Sequence, residues 1–305
     1  MDSRRDFLKK TFVAGTGLAL SGSLIPPVLY AGTPKKITIL HTNDMHSRIE
    51  PFPNDGGNFA NMGGMARRAA IISEIRSQEP NVLLLDAGDI FQGTPYFNFY
   101  GGELEFKLMS KMKYDAATLG NHDFDNGMDG LLEQLPNASF SFISSNYDFS
   151  DTILKNNFLH YRVFKKSGIK IGVFGLGIEL RGLVAKENYG NTKYLDPVAI
   201  SREMVQELKS KKCDLIICLS HLGYSYQSDK IDDRKLASQV GGIDLIIGGH
   251  THTFLDHPEE VIGAHGHKTL INQVGWSGLK LGKIDFEFGN KNEITYANSK
   301  SLAII

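Results

Sequence analysis

Residues 81–89 read NVLLLDAGD, in which the apolar run Val82–Leu85 forms the centre of a predicted strand, Asn81–Asp86, and leads to Gly88 and Asp89. A run of this length between polar flanks is typical of a strand that is buried on both faces. The segment before it, Met65–Ser77, has the spacing of an amphipathic helix, with alanines and isoleucines on one face and charged residues opposite. A short strand is predicted earlier still, at Lys36–Leu40. This order of strand, helix and strand predicts an α/β fold.

The alternation of strands and helices continues along the chain. Further helices are predicted at Glu103–Met112, Pro197–Lys211 and Ile231–Val240, and Lys166–Gly168 reads as the turn of a hairpin between Tyr161–Phe164 and Lys170–Leu176. The remaining predicted strands are Ala116–Leu119, Phe140–Ser144, Asp214–Leu219, Asp244–Ile247, Lys268–Asn272 and Lys280–Phe288. No internal repeat or linker interrupts them. We therefore expect a mixed sheet, arranged as two sheets packed together.

The overall composition is that of an ordinary globular protein. Among 305 residues, 41% are hydrophobic and 22% charged, with 33 Lys and Arg against 34 Asp and Glu. This balance argues against a nucleic-acid-binding protein that relies on a basic surface. The two cysteines, Cys213 and Cys218, lie five residues apart in one apolar run that reads as a strand, so they cannot bridge each other. The chain is therefore not a disulfide-stapled scaffold.

The first 31 residues have the layout of a twin-arginine export signal. Arg4 and Arg5 precede a mildly apolar run, Thr11–Leu24, and the small residue Ala31 marks the expected cleavage point. The apolar run is too short and too rich in glycine for a membrane-spanning helix. We predict export to the periplasm without stable membrane insertion. A basic N-terminus on a membrane anchor or a surface helix is the alternative.

Metal-ligand residue types follow five of the predicted strands. In open α/β sheets, ligands bind in the crevice at the carboxyl ends of the strands, so these side chains are expected to meet there. A lone histidine is usually a core or surface residue, but five at one sheet edge, beside aspartate and asparagine, predict a metal site. The residues are Asp44 and His46, Asp89, Asn121 and His122, His221, and His250 and His252.

The number of candidate ligands indicates more than one metal ion. Without His122 there are seven, whereas a tetrahedral zinc ion takes four. Two ions that share one carboxylate, about 3.5–4 Å apart, account for the number. Imidazole, carboxylate and amide ligands without thiolate suit Zn, Mn, Fe or Co. We therefore predict two divalent metal ions.

Four longer motifs carry a resemblance to a known family. They are HTNDMH (41–46), DAGDIFQGTP (86–95), LGNHDFDNG (119–127) and IIGGHTHT (246–253). They resemble the catalytic domain of bacterial 5'-nucleotidases and UDP-sugar hydrolases, which are calcineurin-like metallophosphoesterases. The resemblance covers roughly residues 35–290. It implies a four-layer αββα sandwich of two mixed sheets, with residues 32–305 as a metallophosphoesterase catalytic domain.

The resemblance also implies a role for each residue of the motifs. One metal is assigned to Asp44, His46, Asp89 and His252, and the other to Asp89, Asn121, His221 and His250. Asp89 is then the bridge, and a metal-bound hydroxide is the expected nucleophile. His122 pairs with Asp125 in the family, so we expect His122 to stabilise the transition state or protonate the leaving oxygen while Asp125 orients it. A plain turn role for Asp125 is the alternative.

Substrate selectivity does not follow from these motifs. Nucleotidases of the family carry a C-terminal nucleotide-binding domain, and the sequence up to Ile305 offers no residues that match it. We expect a small phosphorylated substrate, most simply a nucleotide, selected by a separately encoded partner domain or by a looser pocket. Hydrolysis of nucleotide sugars or cyclic phosphates, a thiosulfohydrolase activity, and a non-catalytic metal-binding subunit are the alternatives.

The remaining histidines and the single tryptophan are expected to have structural roles. His41 and Trp276 are expected to pack in the interior, although Trp276 as the lining of a pocket is an alternative. The others are expected to be ordinary surface residues: His160, His257, His265 and His267.

Overall fold

Two mixed six-stranded sheets form the centre of the computed structural model, which describes residues 35–263 and 266–305. The first sheet has the spatial order β14 (Ile294–Ala303), β13 (Lys280–Phe288), β1 (Lys35–Thr42), β2 (Val82–Asp86), β3 (Ala116–Ala117) and β4 (Ser141–Phe142). The second has the order β11 (Glu259–Ile262), β12 (Lys268–Asn272), β10 (Leu245–Gly248), β9 (Leu215–Ser220), β7 (Ile169–Leu176) and β6 (Tyr161–Lys166). A separate two-stranded ladder joins β5 (Tyr147–Asp148) to β8 (Lys193–Tyr194).

Helices cover the outer faces of both sheets. They are α1 (Met65–Gln78), α2 (Pro95–Tyr100), α3 (Glu103–Lys111), α4 (Gly127–Gln134), α5 (Lys186–Tyr189), α6 (Pro197–Ser210) and α7 (Asp233–Gln239). Residues of α1, α3 and α4 share an apolar core with the first sheet. Residues of α6 and α7 share another core with the second sheet. The predicted four-layer αββα sandwich is thereby confirmed.

A third core fills the space between the two sheets, and strand β2 shows how one segment serves two cores. Side chains alternate across a strand, so Leu83 and Leu85 point into the core between the sheets while Leu84 packs against the helices. This is why NVLLLD reads as a continuous apolar run. Strand β9 follows the same pattern, since Ile217 faces the other sheet and Cys218 faces the helices.

The parallel strands of each sheet direct the loops that carry the candidate ligands. In the first sheet β1, β2, β3 and β4 are parallel, and in the second β7, β9, β10 and β12 are parallel. The antiparallel strands β13, β14, β6 and β11 lie at or near the sheet edges. Each group of parallel strands therefore delivers its carboxyl-terminal loops to one edge of its sheet.

Seven of these elements were not predicted from the sequence, and three of them show why. Helix α4 has the sequence GMDGLLEQ, and its two glycines weaken the local helical signal. Helix α2 is a six-residue aromatic segment that begins at Pro95. Strand β14 is an edge strand with mostly exposed, polar residues, so it lacks the apolar alternation of a half-buried strand.

Two predictions concern membranes and export. In the part of the chain that the structure describes, we find no helix with both the length and the apolar character needed to cross a bilayer. The predicted twin-arginine signal at residues 1–31 lies outside the described residues.

Candidate metal and catalytic site

Loops from both sheets bring all seven predicted metal ligands together. Asp44 and His46 follow β1, Asp89 follows β2, and His221 comes directly after β9. The side chains form two groups, and within each group the ligand atoms all lie within 4.8 Å of one another. The first group is Asp44, His46 and His252, and the second is Asp89, His221 and His250. Asn121 contacts the second group through a 2.8 Å approach of its Oδ1 to His250 Nδ1.

The first group places two imidazole nitrogens against each other. Nε2 of His46 lies 3.0 Å from Nε2 of His252, which lies 3.4 Å from Oδ1 of Asp44. Two imidazole nitrogens at this distance require a shared proton or a cation between them. Asp44 and His46 are buried, whereas the His252 side chain is 40% exposed and opens the group to solvent.

Asp89 belongs to the second group and also faces the first. Its Oδ2 is 3.0 Å from Nε2 of His221 and 4.0 Å from Nε2 of His46. Nε2 of His221 is buried and has no well-aligned hydrogen-bond partner among the described residues, so this nitrogen is available to a ligand. Imidazole, carboxylate and amide donors fit divalent Zn, Mn, Fe or Co. The residues present therefore suit the predicted pair of ions.

Burial and charge set the protonation of the second group. Burial lowers the pKa of His221, but the carboxylates of Asp89 and Asp44 outweigh burial and raise that pKa to about 10. Burial and the neighbouring His221 lower the pKa of His250 to about 4, which keeps His250 neutral. Without an ion, His221 thus holds a proton at the position where a cation would bind. Metal ligation requires that proton to leave.

Five of the seven candidate ligands have a left-handed backbone. This region is uncommon for residues with a side chain and is found at functional sites, where surrounding structure holds it in place. The residues and their φ angles are Asp44 (50°), His46 (47°), Asp89 (56°), His250 (70°) and His252 (53°). The backbone at these strand ends is therefore held in a conformation that ordinary loop residues rarely adopt.

Two glycines allow these loops to approach one another closely. A Cβ atom at Gly120 would lie 2.2 Å from Oδ1 of Asp89. A Cβ atom at Gly249 would lie 2.8 Å from Nδ1 of His221 and 3.0 Å from the carbonyl oxygen of Ala87. Only a residue without a side chain fits at such distances.

Asp123 is a buried residue of the site that the sequence analysis missed. Its two carboxylate oxygens accept four backbone hydrogen bonds, from the N–H groups of Asp89 (3.1 Å), Ile90 (2.9 Å), Phe91 (3.2 Å) and Gly120 (2.8 Å). It therefore ties the loop of Asp89 to the loop that carries Asn121. The sequence signal was its position inside LGNHDFDNG, directly after the predicted catalytic His122.

Two buried amides fix the remaining ligand loops. Asn43 donates through Nδ2 to Oδ2 of Asp44 (2.5 Å) and to the carbonyl of Gly275 (2.6 Å). Gln273 donates through Nε2 to the carbonyl of Gly249 (2.6 Å) and accepts from Oγ1 of Thr251 (3.1 Å). Such outer hydrogen bonds orient metal ligands and tune their affinity.

The predicted pair of His122 and Asp125 is also brought together. Nδ1 of His122 lies 2.7 Å from Oδ2 of Asp125, and the backbone N–H of His122 donates to Oδ1 of Asp89 (2.8 Å). The hydrogen bond to Asp125 raises the pKa of His122, although burial opposes the shift. The His122 ring lies 5.3 Å from the His46 ring, centroid to centroid. An imidazole whose protonated form is favoured by Asp125 is thus held beside the candidate ligands.

The structure corrects one of the two interior predictions. His41 packs as expected: it is fully buried, its Nε2 lies 3.0 Å from Nδ2 of Asn272, and burial lowers its pKa to about 3. The prediction of core packing for Trp276 is wrong. Its ring is half-buried and stacks on His252 with a centroid distance of 5.8 Å and an interplanar angle of 9°. The chain segment after β12 places Trp276 beside the candidate ligand His252.

The other histidines lie away from the candidate ligands. His160 and His257 are exposed, as predicted, and His265 lies outside the described residues. His267 is half-buried instead of a plain surface residue: its Nε2 lies 3.0 Å from the carbonyl oxygen of Ile243 and 3.5 Å from Oδ1 of Asp244.

Comparison with known proteins places the chain in a family. The family described as calcineurin-like phosphoesterase matches residues 37–254. The 5'-nucleotidase of Rattus norvegicus is 33% identical over 304 residues, which cover 92% of this chain and 52% of that protein. The chain spans about half the length of the curated relatives it matches.

Solved structures give the same result. The 5'-nucleotidase precursor from Thermus thermophilus matches with a TM-score of 0.81 and 34% identity, covering 88% of this chain and 55% of that one. The calcineurin-like phosphoesterase YfkN from Bacillus subtilis matches with a TM-score of 0.73 and 25% identity, covering 89% of this chain and 91% of that one. The αββα sandwich, the ligand groups at its strand ends and these matches agree. The chain belongs to the calcineurin-like phosphoesterase family.

Proposed function

We propose that this chain is a phosphoric ester hydrolase that works with two divalent metal ions and acts on nucleotides in the manner of a 5'-nucleotidase. The observation that carries the proposal is the pair of ligand groups around Asp89, with His122 held beside them by Asp125. The similarity to 5'-nucleotidases supports a nucleotide as the substrate.

The distances support a division of the ligands between two ions. Asp44, His46 and His252 would hold one ion, and Asn121, His221 and His250 the other, with Asp89 shared. Sharing fits because Asp89 faces histidines of both groups. Ions bound there would supply Lewis-acid polarisation of the phosphoryl oxygens and would lower the pKa of water to near neutrality.

The chain's own residues supply the proton and the orientation. Asp125 accepts at Nδ1 of His122 and thereby fixes the imidazole orientation, so that Nε2 is left for the substrate. We propose that His122 donates from Nε2 to the phosphoryl group or the leaving oxygen. Such proton transfer usually contributes 10²–10⁴-fold in rate. His122→Ala is therefore expected to lower kcat by about 10²–10⁴-fold with unchanged metal content.

The cellular context of the reaction is part of the proposal. The twin-arginine signal predicted at residues 1–31 would export the chain to the periplasm. A separately encoded C-terminal nucleotide-binding protein is the proposed partner there. The hydrolase is expected to act on a soluble phosphorylated substrate.

The test combines metal analysis with a substrate panel. The purified chain is loaded with Zn²⁺, Mn²⁺, Fe²⁺ or Co²⁺, and phosphate release is measured from nucleoside monophosphates, UDP-glucose, cyclic nucleotides and aryl phosphates. We expect two ions per chain and turnover of nucleoside monophosphates. Asp89→Asn is expected to lose both metal and activity, while Asp151→Asn, an exposed aspartate outside the ligand loops, serves as the control. Fully active protein with one ion per chain contradicts the two-ion mechanism.

A further inference from the structure

Four aromatic side chains form a cluster beside the candidate metal site. We call this cluster of Phe52, Phe59, Phe254 and Trp276 the aromatic wall. The rings of Phe52 and Phe59 each meet Trp276 edge-on, at centroid distances of 5.8 and 6.3 Å. Phe254 stacks on Phe59 at 6.3 Å with an interplanar angle of 23°. These distances are those of attractive aromatic pairs.

The aromatic wall begins at a candidate metal ligand and ends in solvent. Trp276 stacks on the imidazole of His252, whose side chain is itself partly exposed. At the other end Phe254 is 39% exposed. A molecule with its phosphoryl group at the ligands would therefore have the aromatic wall along one side of its leaving group.

The aromatic wall is not an extension of the apolar interior. None of its members belongs to the three apolar cores of the sandwich. Phe52 and Phe59 flank a segment, residues 53–58, in which every residue is exposed. Backbone hydrogen bonds from Phe52 to Met62 (2.8 Å) and from Asn61 to Phe52 (3.2 Å) close the base of this segment. The two rings are thus held at the surface by a closed loop.

Two cations lie over the rings and add positive charge beside the site. The guanidinium of Arg48 is 4.2 Å from the centroid of Phe52, and Nζ of Lys280 is 5.4 Å from that of Phe254. Asp256 pairs with Lys280 at 2.6 Å. Within the described residues, Arg48 has no carboxylate at salt-bridge distance, so its charge remains available to an anion. The surface thus combines flat apolar faces with the guanidinium of Arg48 over one of them.

We propose that the aromatic wall binds a planar ring in the leaving group of the phosphate ester. Under the proposed function, on which this inference rests, that ring is the base of a nucleoside 5'-phosphate. Phe59 and Phe254 already contact each other, so the ring stacks on the exposed surface of Phe254 and is not inserted between them. Recognition by stacking tolerates different bases, because every base has a π-face.

The experiment compares two substrates that share a sugar phosphate and differ in the base. We measure kcat/KM for AMP and for ribose 5-phosphate with the metal-loaded protein and with Phe254→Leu, which keeps an apolar side chain but removes the ring. Base stacking is worth about 1–3 kcal/mol, so the ratio of the two kcat/KM values is expected to fall by about 5- to 150-fold. Phe254→Tyr, which keeps the ring, is expected to restore the ratio.

The controls separate stacking from a structural effect. Tyr296→Ala removes an exposed aromatic residue on the edge strand β14 and is expected to leave the ratio unchanged. Metal content is measured for each variant. An unchanged ratio in Phe254→Leu overturns the inference and leaves the proposed hydrolase intact, and so does an equal loss for both substrates. If the metal-loaded wild type hydrolyses neither substrate nor any other phosphate ester, both the proposed function and this inference are wrong.

Discussion

Replacing Asp123 by asparagine tests whether its four backbone hydrogen bonds hold the site together. Each carboxylate oxygen accepts two of them: Oδ1 from Ile90 and Phe91, and Oδ2 from Asp89 and Gly120. Asparagine keeps one accepting oxygen, but its NH₂ group must face the other two N–H donors. Two buried donors then lose their acceptor.

The magnitude follows from the number of orphaned donors. A buried donor without an acceptor costs about 1–3 kcal/mol, so Asp123→Asn is expected to lower the free energy of unfolding by about 2–6 kcal/mol. Asp123→Ala orphans all four donors and is expected to cost about 4–12 kcal/mol. Since domains are stable by only about 5–15 kcal/mol, the alanine variant is expected to lose most of its stability.

The assay is urea unfolding followed by circular dichroism at pH 8.5. This pH is chosen because burial and the Asp89 carboxylate raise the pKa of Asp123 to about 7, so the wild-type carboxylate is ionised under these conditions. Asp129→Asn, an exposed aspartate in α4, is the matched control and is expected to change stability by less than about 0.5 kcal/mol. A loss below about 1 kcal/mol in Asp123→Asn would refute the orphaned-donor reasoning.

Three further predictions address the site and its surroundings. Gly120→Ala places a methyl group against the Asp89 carboxylate, so metal content measured by elemental analysis is expected to fall, and retention of two ions would contradict the close approach. Binding of Zn²⁺ at pH 7 is expected to release the proton of His221, which calorimetry in buffers of different ionisation enthalpy detects; absence of proton release is the opposing result. The hydrogen bond to Asp244 raises the pKa of His267, so its stabilisation is present below the unfolded pKa and is lost as the pH rises through the folded one. The loss of stability in His267→Gln, measured by urea unfolding, should therefore be larger at pH 5.5 than at pH 8.5, and equal losses would count against this pairing.

The strands and the ligand positions were predictable because their signals are local. Val82–Leu85 are all apolar because β2 faces two cores, and a short-range pattern is enough to detect this run. The ligands follow such strands within a few residues, and parallel strands deliver their loops to one edge. Knowledge of strand order was therefore not needed to predict that Asp44, Asp89 and His221 would meet.

The supporting contacts were not predictable because they depend on long-range geometry. Asp123 appears in the sequence as one more aspartate in a turn, and only the folded loops show four N–H groups around it. Trp276 follows an apolar strand, which suggests core packing, yet the chain turns it toward His252. Helix α4 was missed because its glycines weaken the local helical pattern. Packing in the folded chain requires one of them, since a Cβ atom at Gly130 would lie 2.5 Å from the Asn126 side chain.

Five of the candidate ligands have a left-handed backbone, so the side chains that would bind an ion make the folded chain less stable than glycine would at the same positions. A residue with a side chain costs roughly 1–2 kcal/mol more than glycine in this conformation. At His252, a glycine would therefore relax the resting chain while removing a donor for the ion. We expect ion-free His252→Gly to resist unfolding better than ion-free His252→Ala. Folding alone would favour glycine at these five positions, and the need to hold a cation is the physical reason for histidine and aspartate there.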